Sequence, residues 1–150
     1  MKKIFTISSF LLLAVAILAG CSKRDSGYYD NDEDYWLSRE RGIVVYSDTY
    51  CPYYVVETSY GYTIIEAGSG HSLPYEGDVM YGNLSRLGYA EFYNRSAGTI
   101  IRGNIVDYWL TYSEAQYMID DLCYTGFKST GEKKKINVAG IITEQKHRAD

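Results

Sequence analysis

The chain has 150 residues, 46% of them hydrophobic, and a formal net charge of −4. That length fits one domain with a modest core, and the acidic balance argues against nucleic acid or anionic headgroups as partners. With only 2 histidines, the groups most used for acid–base chemistry are scarce.

At the N-terminus, Lys2 and Lys3 precede an apolar run from Ile4 to Ile17, followed by Leu18-Ala19-Gly20-Cys21. A spanning helix needs about 20 apolar residues, and the purely apolar stretch Phe10–Ala19 is too short for one. The arrangement is that of a secretory signal with a small-residue cleavage region. It resembles the lipobox of bacterial lipoproteins. The resemblance implies a signal peptide over residues 1–20, cleavage before Cys21, a diacylglyceryl thioether on Cys21 and often an acylated amine. Two or three acyl chains, at about 0.8 kcal/mol per buried methylene, anchor a protein firmly. The expected location is therefore the bacterial cell envelope, lipid-anchored at the outer membrane on its periplasmic or surface face.

From Ser22 to Asp34 the chain is polar and acidic, with almost no aliphatic residue. Such a segment cannot bury enough apolar surface to order itself, so residues 21–42 are expected to form a flexible tether. Some lipoproteins carry an acidic export signal directly after the lipidated cysteine. Here Ser22-Lys23-Arg24 intervenes, and the tether reading fits better.

A β-rich domain is expected over residues 43–126. Ile43–Tyr46, Tyr53–Thr58 and Tyr62–Ala67 are β-branched and aromatic runs, the last two joined by Ser59-Tyr60-Gly61. A longer loop follows across Gly68–Gly77. Further strands are expected at Asp78–Tyr81, Tyr89–Tyr93 and Thr99–Tyr108, with Gly103 marking a bulge or bend. About six short strands at this spacing predict a mainly β fold, a small antiparallel barrel or sandwich. Ser113-Glu114-Ala115-Gln116 reads as a capping box opening an amphipathic helix over 113–124. Its apolar stripe, Ala115, Met118, Ile119, Leu122 and Cys123, suits a plug over one barrel end. Residues 127–150 form a basic tail in which 136–143 is a candidate last strand, paired with an open sheet edge.

Once Cys21 is set aside, Cys51 and Cys123 remain. In an exported protein such a pair either forms a disulfide or stays as two buried thiols. No chelating pattern points to a metal, and no motif points to a cofactor. His71 lies beside Ser69 and Ser72, but Gly68-Ser69-Gly70 lacks the strand–elbow–helix setting of a nucleophilic serine. No catalytic residue is assigned.

Tyrosine is the unusual feature, with 17 residues alongside 2 tryptophans. Its flat apolar face and polar tip suit stacking on sugars and adaptable protein contacts, although tyrosine is also a favoured strand residue. Tyr108, Trp109 and Tyr112 crowd together before the helix and form the candidate binding surface. The expected function is that of a non-enzymatic envelope lipoprotein with a binding or structural role, contacting another envelope protein or the wall. A glycan-binding module using exposed Tyr and Trp is the alternative, and a hydrolase comes third.

Overall fold

A computed structural model describes residues 30–70, 72–124 and 133–143. The lipobox with Cys21, and both histidines, lie outside the described residues. The described residues from Asp32 onward form one compact unit. In chain order come α1 (Asp30–Leu37), β1 (Glu40–Ser47), β2 (Tyr53–Thr58), β3 (Gly61–Ala67), β4 (Val79–Gly82), β5 (Gly88–Asn94), β6 (Thr99–Leu110) and α2 (Tyr112–Tyr124). The six strands close into an antiparallel barrel in the order β1-β2-β3-β6-β5-β4. Among the described residues, no helix is long and apolar enough to cross a membrane.

The barrel interior takes side chains from every strand: Val44, Tyr54, Val56, Ile65, Met80, Phe92, Ile101 and Ile105, with Leu84 from the β4–β5 turn. A second core lies on the outer side of the β1–β2–β3 wall. There Val45, Tyr46, Val55, Tyr62 and Ile64 pack against Ala115, Ile119 and Cys123 of α2 and against Ile136. Successive strand residues face opposite ways. A wall buried on both faces therefore reads as continuous apolar runs, which is what Ile43–Tyr46 and Tyr53–Val56 show. In β1 the register against β2 shifts between Val44 and Tyr46, so the extra residue Val45 joins Tyr46 on the outer side. Each fully buried side chain of this kind stabilises by roughly 1.5–3 kcal/mol.

Four expectations need correction. The flexible tether does not extend through residue 42, because α1 and the start of β1 are ordered. Aromatic rings replace the missing aliphatics: Trp36 stacks on Tyr93 at 6.4 Å, and Glu33 pairs with Arg95. Next, α2 does not plug a barrel end. It lies on the outer wall, with Ala115, Ile119 and Cys123 buried and Met118 and Leu122 packed beside them.

The third correction concerns residues 133–143, which form no strand, since a closed barrel offers no free edge. Instead they make a strap tied at Asn137 N to Val45 O and at Thr143 N to Ser59 O. Glu57, fully buried, accepts the backbone N–H of both Ala139 and Ile141 at 2.6 Å. Finally, Gly103 is a site of close approach rather than a bulge. A Cβ there would meet Ile65 Cγ2 at 2.7 Å and Glu66 O at 2.8 Å. The irregular register of β6 lies further on, opposite Tyr62–Ile65.

Cys51 and Cys123 form a disulfide with Cα atoms 5.4 Å apart, joining the β1–β2 turn to the last turn of α2. Among the described residues, no group of three His, Cys, Asp or Glu side chains is placed to hold a metal ion.

Candidate binding site

The three aromatic residues before α2 do not share a surface. Tyr108 is half-buried against the inner core. Tyr112 sets its ring edge-on to Tyr62 at 6.0 Å and donates its hydroxyl to the Ile136 carbonyl at 3.3 Å. Trp109 lines an open cleft.

That placement follows from the backbone. Between the pairs Tyr62–Leu110 and Ile65–Ile105, β6 carries two more residues than β3, so part of β6 bulges. Trp109 sits within it at φ 60°, a left-handed conformation rare for a bulky residue. Opposite lies Gly61 at φ 138°, where a Cβ would fall 2.7 Å from Leu110 O. The glycine lets the bulge close against the β2–β3 hairpin.

The indole Nε1 then donates to Ser85 Oγ at 2.8 Å. The Ser85 hydroxyl in turn lies 2.9 and 2.8 Å from the two carboxylate oxygens of Glu40, to which it donates. Burial raises the Glu40 carboxyl above its ordinary value, against hydrogen bonds from Ser85 and the Leu84 backbone that favour the charged form. Ser85 is thus engaged as both acceptor and donor. The hollow around these groups measures about 650 Å³, and Tyr60, Arg39, Arg41 and Ile141 are among the other residues that line it.

A second hollow of about 500 Å³ adjoins the first, because Arg39 lines both. Its rings are Tyr35, Trp36 and Tyr89, with Asn83, Glu91 and Arg102 around them. Tyr89 is 81% exposed and Tyr35 50%. Arg102 donates through Nε and Nη2 to one Glu91 oxygen at 2.8 and 2.7 Å, and the Arg39 guanidinium lies 4.4 Å from the Tyr35 ring centroid. The result is a two-lobed cleft with rings and planar polar groups in each lobe and Arg39 shared between them. Such a surface can stack on flat apolar faces while hydrogen-bonding at their edges. A third hollow, about 630 Å³, lies by the β3–β4 loop and is lined by Tyr75 and the Lys134–Glu76 ion pair.

No family model, curated protein or solved structure matches this chain.

Trp109 was legible as a candidate, whereas Tyr35, Trp36, Arg39, Arg41 and Tyr60 were not. The first four lie in the span read as a tether. Their signal was the pair Tyr35-Trp36, two adjacent large rings in an acidic segment with almost no aliphatic residue.

Proposed function

We propose that this chain is a non-catalytic binding domain held at the bacterial envelope by lipid on Cys21, and that its two-lobed cleft takes a glycan. The observation that carries the reading is the ring set, exposed Tyr35 and Tyr89 with half-buried Trp36 in one lobe and exposed Tyr60 with half-buried Trp109 in the other, the two lobes sharing Arg39. Amphipathic rings at low conformational cost, flanked by Asn and Arg, suit sugar rings better than a flat protein surface would. A lipid anchor keeps such a domain close to envelope polysaccharide.

Trp36 and Trp109 are the chain's only 2 tryptophans, so fluorescence excited at the red edge, where tyrosine absorbs little, reports on one ring in each lobe. Purified full-length protein in detergent should shift or quench its emission on titration with envelope polysaccharide fractions. Trp36→Phe and Trp109→Phe assign the signal to each lobe. Tyr89→Ala, at a surface position, should weaken binding several-fold without altering the fold. An unchanged emission together with no retention of any fraction would overturn the glycan reading. The anchor is tested separately: Cys21→Ser should abolish labelled-palmitate incorporation, and a parent protein that takes up no label refutes it.

A further inference from the structure

We infer that the ligand of this cleft is an acidic glycan, whose sugar carboxylate is received by Arg41 in the Trp109 lobe, with Arg39 at the junction of the two lobes. The inference rests on the glycan reading above and names the class of sugar.

Its basis is the charge balance inside the cleft, which opposes that of the chain. The whole molecule carries a net charge of −4. Yet among the described residues the two lobes are lined by Arg39, Arg41 and Arg102 against only Glu40 and Glu91. Glu91 is matched by Arg102 at 2.7 Å. Glu40, between the two other arginines in sequence, turns its carboxylate onto the Ser85 hydroxyl. Of the acidic residues on α1 nearby, Glu33 pairs with Arg95, and neither Glu33 nor Asp34 lines a lobe.

Arg39 and Arg41 are therefore left exposed in the cleft, with no ion pair to another described residue. Arg39 is instead held over the Tyr35 ring, which fixes its direction without using up its charge. Guanidinium is a planar, weakly hydrated donor fork that matches a carboxylate. Flanking rings supply the stacking face for the sugar that bears it.

The test is a glycan array probed with labelled full-length protein in detergent. It carries uronate-bearing and other carboxylated oligosaccharides, each beside its carboxyl-reduced neutral counterpart, with polyglutamate peptide as a separate probe. The expected result is binding to carboxylated members about tenfold tighter than to their reduced counterparts, a preference that fades as salt is raised. Arg41→Gln should remove most of that preference, and Arg41→Lys should keep part of it. Equal binding of acidic and reduced glycans, unaffected by Arg41→Gln, overturns the acidic-glycan inference and leaves the glycan reading standing. Absence of any glycan binding overturns both, as does polyglutamate binding in place of sugar.

Discussion

Tyr54 projects into the barrel with its hydroxyl buried and without a hydrogen-bond partner among the described residues. Burial alone pushes its phenol well above the ordinary range. A hydroxyl in that position brings desolvation cost without a compensating bond. Tyr54→Phe keeps the ring that fills the interior and removes the unpaired atom. The variant should unfold at a urea concentration equal to or above that of the parent, a gain of up to about 1 kcal/mol. A loss of that size would mean the hydroxyl has a partner in solution.

Trp109 shows strain of a different kind. A left-handed tryptophan costs roughly 1–3 kcal/mol, and here the strained conformation aims the indole at Ser85 in an open cleft. The proposed binding role gives that strain a use, because it holds the indole in the cleft.

At the scale of elements, strands β2 to β6 were legible almost residue for residue. Paired β-branched runs, glycine turns and alternation are local signals, and the short hairpin at Ser59-Tyr60 and the longer turn before Thr99 form where they predict. What could not be read depended on partners far away in the chain. The strap 133–143 is held by Glu57, more than eighty residues earlier, and nothing in the composition of β2 marks that carboxylate as buried.

The helix start is a further correction. The capping box expected at Ser113-x-x-Gln116 is not the one that forms; the structure caps the helix with Thr111-x-x-Glu114 instead. Glu114 Oε2 accepts from the Thr111 N–H at 2.8 Å and from its hydroxyl at 2.7 Å, and the Glu114 N–H donates to Thr111 Oγ1 at 3.3 Å. Gln116 instead serves the strap, accepting from Ile136 N at 2.9 Å and donating to Lys134 O at 3.4 Å. Thr111→Ala should therefore cost about 1 kcal/mol of stability, and Ser113→Ala only a few tenths. Reversed magnitudes in denaturant midpoints would move the cap back to Ser113.

For the whole molecule, the barrel and its outer layer are held together unequally. The inner core draws on all six strands and closes on itself, whereas the outer core depends on α2 and the strap staying pressed against one wall. Cys51–Cys123 fastens that outer layer, and its sequence separation of 72 residues encloses β2 to β6 and nearly all of α2. Loop closure over such a span restricts the unfolded chain by about 4 kcal/mol in the chain-entropy picture, a large fraction of the stability of a domain this size. Reduction should therefore lower the guanidinium midpoint strongly. Hydrogen exchange should quicken first at the buried positions of α2 and at Ala139 and Ile141, whose N–H groups reach Glu57 only while the strap is seated. Amides of β4 and β5, which the outer core does not cover, should keep their protection until global unfolding. Two alkylatable thiols besides Cys21 in protein isolated without reductant would show that the bridge is not formed. Uniform loss of protection across α2 and β5 on reduction would show that the two layers unfold as one.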